Sequence, residues 1–279
     1  DFSCIDGFCP SFVTVHGAEP RKLNYSLSEV PFPVLPDAPI ATALTPYSII
    51  IAGIGGTGVV TVSALLAMAA HIMKKGVTSL DIAGLAQKNG AVHSHVRICD
   101  DPKKLHAVRI ASGGADLLLG CDMLTSGSYE TLSKLNAGKT LAVVNSQKSM
   151  TADFTRDPNL YFPDQRLRQS ICFGVDGNEI ATSKSRVHFV EATALARDLM
   201  GDTIGANLFL VGYALQKGLL PLSIEALHAA IDLNGIAPEF NKQALLWGRR
   251  VANDPNSIRV ILKSSLGGAS TETSSIPFE

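Results

Sequence analysis

The chain has 279 residues, with 24 basic against 25 acidic side chains and a formal net charge of −1. So even a balance argues against nucleic acid or an anionic membrane surface as partners, and no apolar run reaches the ~20 residues of a spanning helix. Hydrophobic residues make up 46% and charged residues only 18%, which fits an ample core and a surface partly covered by partner domains. A cytoplasmic location is expected, because no signal peptide is visible.

Residue 1 is Asp, not Met, and the chain reads as a piece of a longer polypeptide. Residues 1–17 form a cysteine-bearing segment in which Cys4 and Cys9-Pro10 have the spacing of the last ligands of a ferredoxin-type iron–sulfur motif. Two thiolates cannot hold a four-iron cluster, so the remaining ligands would precede residue 1. An incidental pair of cysteines is an equal alternative. Seven of the 14 prolines lie between Pro10 and Pro46, so residues 18–46 are expected to be an extended linker. A principal domain follows over 47–263, and the Gly/Ser/Thr-rich residues 264–279 read as a flexible tail.

The domain opens on Ile49-Ile-Ile-Ala-Gly53-Ile-Gly55-Gly56-Thr57-Gly58-Val-Val60. A β-branched apolar run meets the spacing G-x-G-x-x-G and passes directly into an alanine-rich helical pattern. Such a strand–turn–helix directs free N–H groups and the positive end of a helix dipole at one spot, and the missing Cβ atoms let a phosphate approach. A glycine-rich turn without a ligand is the alternative. Val59, Val62, Leu65, Leu66 and Ala69 form the apolar stripe of the helix.

Asp81 lies 23 residues beyond Gly58, where a dinucleotide-binding unit keeps its ribose-holding acid. It leads into Gly84-Leu-Ala-Gln-Lys88-Asn89-Gly90, not into a second amphipathic crossover, so the ribose role is the lesser reading. Residues 90–98 alternate strictly, with His93, His95 and Arg97 on one face and Ser94 on the other. That face is either a basic strip beside the anion site or a solvated strand face.

Further strands are expected over 48–52, 77–82, 106–110, 117–120, 140–145 and 187–190, and 106–110 should pair antiparallel with 90–98. Helices are expected over 58–75, 129–135, 192–200, 204–216, 224–233 and 238–253. This alternation predicts an α/β fold, a three-layer α/β/α sandwich with a mostly parallel, mixed sheet and a Rossmann-like first turn. Ser223 should cap one C-terminal helix and Asn234-Gly235 should end it. Val175-Asp-Gly-Asn178 reads as a turn, not a thiamine–magnesium site. Cys99, Cys121 and Cys172 sit in apolar segments as buried small hydrophobes.

No G-x-S-x-G elbow, H-E-x-x-H or P-loop lysine is present, so no catalytic residue is assigned. Several motifs together resemble one family. Gly53-Ile-Gly-Gly-Thr-Gly-Val59, Gly84 to Ile98, Ala115 to Asp122, Val143 to Ser146, Asn207 to Ser223 and Asn241 to Arg250 are similar to the gamma domain of 2-oxoacid:ferredoxin oxidoreductases, the fused indolepyruvate ferredoxin oxidoreductases above all. Asp1 to Val15 resembles the end of that family's iron–sulfur insert.

The resemblance implies part of an enzyme that decarboxylates 2-oxoacids, here an aryl-pyruvate, on thiamine diphosphate and Mg. Such an enzyme passes electrons through 4Fe-4S clusters to ferredoxin and releases an acyl-CoA. The gamma domain would handle coenzyme A and subunit contacts, in a homo-oligomer with the thiamine and iron–sulfur domains as partners. Residues 53, 55, 56, 57 and 58, with Lys88, Asn89, Ser94 and Arg97, are the expected cofactor-binding set, and Cys4 and Cys9 the expected metal ligands. An NAD(P)-binding Rossmann-type dehydrogenase domain and a purely structural interaction module are the alternatives.

Overall fold

A computed structural model describes residues 17, 34–84, 90–149, 159, 161–178, 185–256, 258 and 261. Cys4, Cys9, Lys88, Asn89 and the tail lie outside the described residues. Six strands form one sheet: β1 (Tyr47–Ile54), β2 (Gly76–Ala83), β3 (Ala91–Cys99), β4 (Leu117–Gly120), β5 (Leu141–Asn145) and β6 (Val187–Val190), in the order β2-β3-β1-β4-β5-β6. β1, β4, β5 and β6 pair in parallel, whereas β3 runs antiparallel to both neighbours. The helices are α1 (Val59–Ile72), α2 (Met123–Ser126), α3 (Tyr129–Leu132), α4 (Asp164–Asp176), α5 (Ala192–Met200), α6 (Ala206–Gln216), α7 (Ile224–Asn234) and α8 (Pro238–Asn253).

Strand alternation assigns the two faces of the sheet. Ile49, Ile51, Leu117, Leu119 and Val143 pack with α1 and α5 to α8. Ile50, Ala52, Leu118, Ala142 and Val144 pack with residues of α2 and α4. The result is a three-layer α/β/α sandwich, as the alternating pattern predicts. Among the described residues no helix is long and apolar enough to cross a membrane.

Two sequence expectations fail here. Residues 106–110 form no strand; after a short 3₁₀ turn (Pro102–Lys104) they run as irregular chain. The partners of β3 are instead β1 and β2. The expected antiparallel pair was therefore real for 90–98 but had the wrong partner, because long-range ladder pairing outweighs the short connection. α4 was not anticipated; its hydrophobic positions are few, with Ile171, Cys172 and Val175 buried. The expected turn at 175–178 begins only at Gly177, which caps α4 at φ 73°. Asp176 there accepts from the Ser185 hydroxyl and the Arg186 N–H.

The histidine face of β3 is neither a basic strip nor solvated. His93 and His95 are 3% and 0% exposed, because the 105–110 segment and α3 cover them. Thr131 spends its hydroxyl hydrogen on the Thr125 carbonyl at 2.7 Å, so at 3.0 Å it accepts from His93 Nε2. His95 Nδ1 accepts from the Ile110 N–H at 3.1 Å, which leaves the proton on Nε2. Burial, reinforced by Lys134, Arg109 and His93, lowers the His95 pKa to about 4. Burial likewise lowers His93, against the opposing pull of Glu130.

α6 and α8 cross at backbone contact. A Cβ on Gly212 would overlap the Leu245 carbonyl, and one on Gly248 would overlap the Phe209 carbonyl. Each glycine thus faces the residue three before the other. Residues 34–46 have no regular structure but are tied to this pair. Pro36 O accepts from Gln216 Nε2 at 3.0 Å and Arg249 Nη2 at 3.2 Å, and Ala41 N–H donates to Leu220 O. Ser223 Oγ caps α7 by accepting from Ala226 N–H, and Gly235 ends it in the left-handed region.

Gly212→Ala and Gly248→Ala should each destabilise the chain by about 1–3 kcal/mol or more, since the obstacle is backbone. Urea unfolding should show a lower midpoint, and an unchanged midpoint would disprove the close crossing. The buried histidines also set a pH dependence. Their folded pKa values lie below the usual 6.5, so their stabilising neutral form is complete above pH 6.5. It is lost as pH falls towards the His95 value of about 4, where protonation must break the Ile110 bond. His95→Asn keeps an acceptor for Ile110 and should flatten the loss of stability between pH 6.5 and 4.

Candidate functional site

The sheet's carboxyl edge carries a glycine turn held by its neighbours. Gly53 has no room for a Cβ, which would lie 2.5 Å from Val59 Cγ2 and 2.9 Å from Cys121 Cβ. β1, α1 and the end of β4 therefore meet at one backbone position. Gly56 and Gly58 take φ of 84° and 90°, conformations that suit glycine. Not every N–H in the turn is available to a ligand. Gly55 N–H donates to Gly90 O at 2.8 Å and Thr57 N–H to Ile54 O at 3.3 Å. The first helical bond is Val62 N–H to Gly58 O. Among the described residues, the N–H groups of Gly56, Gly58, Val59 and Val60 have no backbone acceptor.

Asn207, in the first turn of α6, donates from Nδ2 to Thr57 O at 2.7 Å across 150 residues of sequence. It is 8% exposed. This contact brings the α6 N-terminus onto the turn, and the glycine crossing brings α8 along with α6. A cavity of about 470 Å³ results, lined by Gly55 to Val62 and by Ile204, Asn207, Ile236, Ala237, Phe240 and Asn241. The N-terminal ends of three helices, α1, α6 and α8, border it, as does the C-terminal end of α7 at Asn234. Its lining includes no charged side chain. A second cavity of about 480 Å³ shares Ile54, Thr57, Ile204 and Asn207 and extends over the ends of β4 and β5 to Asp122, Asn145 and Thr193. The chain leaves β1 towards β2 and β3 on one side and returns as β4 on the other. The cavities thus lie at the reversal of strand order, where open α/β sheets bind ligands.

Of the expected site residues, 53, 55, 56, 57 and 58 form the turn, with Gly53 and Gly55 serving as structural positions. Ser94 and Arg97 do not join them. Ser94 is 0% exposed, pairs with Ile51 and donates to Asp81 Oδ1. Arg97 pairs with Ser48, seven residues back from Gly55 and so roughly 20 Å away along the strand. Its guanidinium donates to Ser48 Oγ at 3.3 Å and Ala107 O at 2.6 Å. The alternation holds, but sequence does not show which end of a strand meets the turn. Asp81 is likewise removed from the turn, because β3 stands between β2 and β1, and its Oδ1 accepts from Ser94.

Asn207 and Asp122 were missed as site residues. Asp122 had a signal: Asp-x-x-Thr after an apolar strand is a helix cap, and its Oδ1 accepts from the Thr125 N–H at 2.8 Å. Asn207 had a weaker one, a lone amide opening an otherwise apolar helix. Cys121 lines the second cavity but burial pushes its thiol pKa up to about 12, so it is not a poised nucleophile. Among the described residues no group of three or more His, Cys, Asp or Glu could hold a metal ion.

The family model "Pyruvate ferredoxin/flavodoxin oxidoreductase" matches residues 48–251. The indolepyruvate oxidoreductase subunit IorB of Archaeoglobus fulgidus is 27% identical over 219 residues, covering 76% of this chain and 98% of the relative. The subunit of the same name from Methanothermobacter thermautotrophicus is 25% identical, covering 67% of this chain and 87% of the relative. Among solved structures, the pyruvate oxidoreductase subunit PORC of Thermotoga maritima has a TM-score of 0.51 at 20% identity, covering 74% of this chain and 96% of that one. A 2-oxoglutarate:ferredoxin oxidoreductase from Magnetococcus marinus, solved with 2-oxoglutarate, coenzyme A and succinyl-CoA bound, has a TM-score of 0.54 at 17% identity. It covers 75% of this chain and 31% of that one. The structural likenesses carry the fold. The family match, which spans the sheet and every helix from α1 to α7 and most of α8, places this chain in the pyruvate ferredoxin/flavodoxin oxidoreductase family as part of a larger oxidoreductase.

Proposed function

We propose that this chain is the gamma-type unit of a 2-oxoacid:ferredoxin oxidoreductase acting on an aryl-pyruvate, and that it takes the phosphate-bearing end of coenzyme A. The observation that carries this reading is the meeting of three helix N-termini around a 470 Å³ cavity whose lining includes Gly56, Gly58 and Val59, residues whose N–H groups have no backbone acceptor among the described residues. Each helix end carries about half a positive charge and contributes ~0.3–1 kcal/mol towards an exposed anion, more when partly buried. Together they contribute attraction of the kind expected from Arg97 or Lys88. The cavity lining carries no opposing carboxylate.

The residues fit the ligand. Gly56 has open space on the side a Cβ would take, so a phosphate can reach the backbone there. Phe240, Ile236 and Val60 provide apolar wall for a ring or methylene groups. Lys88 and Asn89 remain candidates for the same site, being covalently one or two residues from Gly90, whose carbonyl holds Gly55. Coenzyme A supplies the thiol that accepts the acyl group, while this chain's groups bind and orient it. Thiamine diphosphate, Mg and 4Fe-4S clusters belong to other domains of the complete enzyme, with ferredoxin as electron acceptor, in a cytoplasmic homo-oligomer. Cys4 and Cys9 would be cluster ligands in that assembly. The names of the IorB relatives support the aryl-pyruvate class.

In the complete enzyme, Gly56→Asp should weaken coenzyme A binding at least about tenfold, by placing a carboxylate where a phosphate belongs. Gly56→Ala shares the backbone strain without the charge and should weaken it much less. Thiamine-dependent decarboxylation should persist in both. Equal loss in the two variants, or loss of decarboxylation, would contradict the site. Calorimetry should show binding of coenzyme A and not of NADH, and the reverse would restore the dehydrogenase reading.

A further inference from the structure

The two edges of the sheet are unequal. β6 ends it with 4 residues, a short edge of the kind that resists pairing, whereas β2 ends it with 8. β2 keeps an unbroken register with β3 from Gly76 to Ala83, so no bulge twists it away. It contains no proline and no lysine, and Asp81 is its single charge. Among the described residues no strand pairs with its outer side. An edge this long and regular is a template for another strand.

The ladder shows which groups the edge presents. Gly84 N–H donates to Ala91 O at 3.4 Å, which makes 84 and 91 a hydrogen-bonded pair. Such pairs alternate along an antiparallel ladder, so Gly76, Thr78, Leu80 and Ile82 turn their backbone groups to β3. Val77, Ser79, Asp81 and Ala83 turn theirs outward, where they have no backbone partner among the described residues. Ser79, Asp81 and Ala83 are exposed, and Val77 is half-buried.

We infer that a second copy of this chain occupies the edge, by antiparallel pairing of β2 with itself about a two-fold axis at Leu80. The sequence of the strand selects that register. Centred on Leu80, Val77 meets Ala83 and Ser79 meets Asp81, so every outward backbone group is used. Centred on Asp81, two carboxylates would oppose each other, which is unfavourable. Centred on Ser79, Ala83 would lose its partner. In the Leu80 register Asp81, whose Oδ1 accepts from Ser94, lies across from a Ser79 hydroxyl, and the symmetry makes that contact twice. This self-complementarity, which an unrelated strand would not require, is the ground for a second copy. β3 already holds β2 extended, so pairing costs little backbone entropy. The inference is independent of the coenzyme A reading.

The test is cross-linking in the complete enzyme. Mild oxidation of Leu80→Cys should join two copies, above the background of the unsubstituted enzyme. A non-hydrogen-bonded pair brings its Cα atoms to about 4.5 Å, within disulfide reach. Ile82→Cys alone, facing Thr78 of the second copy, should link far more slowly, and Thr78→Cys with Ile82→Cys should link as readily as Leu80→Cys. Ser79→Pro removes an outward N–H without cutting a bond to β3, so it should suppress the Leu80→Cys link while the circular dichroism stays unchanged. Ser79→Asp opposes carboxylates twice and should slow linking about tenfold, and adding Asp81→Ser should restore it. No link at Leu80→Cys, equal linking at 80 and 82, or undiminished linking in Ser79→Asp would overturn the inference. Slow hydrogen exchange of the Ser79 and Asp81 amides without a link would put a different strand on the edge and also overturn it.

Discussion

The contact on which the site depends is the one at Gly53, where strand, helix and neighbouring strand meet without room for a Cβ. It brings the start of α1 against the end of β4, and Gly56 and Gly58 turn the chain in left-handed conformations that leave N–H groups without a backbone acceptor among the described residues. Everything else at the edge is fastened to that turn. Gly90 O holds Gly55, and Asn207 holds the Thr57 carbonyl. Through Asn207 the turn fixes α6, and through the Gly212–Gly248 crossing α6 fixes α8. Two backbone approaches that tolerate only glycine thus place three helix ends around one cavity.

That arrangement changes how charge is provided. A basic side chain near a phosphate is the simplest solution, and Arg97 and Lys88 are the candidates on sequence. The structure instead commits Arg97 to Ser48 and Ala107 at the far end of the sheet. The helix ends are fixed partial charges, immobilised by folding, so they lose no side-chain entropy when a ligand arrives. A buried lysine in the same place would incur desolvation and lower its own pKa.

Much of this was legible in the sequence, for identifiable reasons. The β-branched run, the glycine spacing and the stripe of α1 are local patterns, and they survive into the structure unchanged. Helix punctuation at Ser223 and Gly235 is local too. What sequence could not show is lateral order in the sheet. Inserting β3 between β1 and β2 moves Asp81 a strand away from the turn and places Arg97 at the far end of the sheet, while the 105–110 segment and α3 bury His93 and His95. Each of those side chains had a reasonable role under a different strand order. α4 escaped notice because only Ile171, Cys172 and Val175 of its 13 residues are buried. Asn207 escaped because its partner lies 150 residues away.

The central claim is that folding sorts the amides of one turn into those used internally and those left for an anion. A crystal structure of the complete enzyme with coenzyme A would test it most directly. The account predicts phosphate oxygens within hydrogen-bond distance of the Gly56, Gly58 and Val59 nitrogens, and none on Gly55 or Thr57, whose hydrogens are already donated. A nucleotide bound away from this edge, with only solvent at the turn, would contradict it.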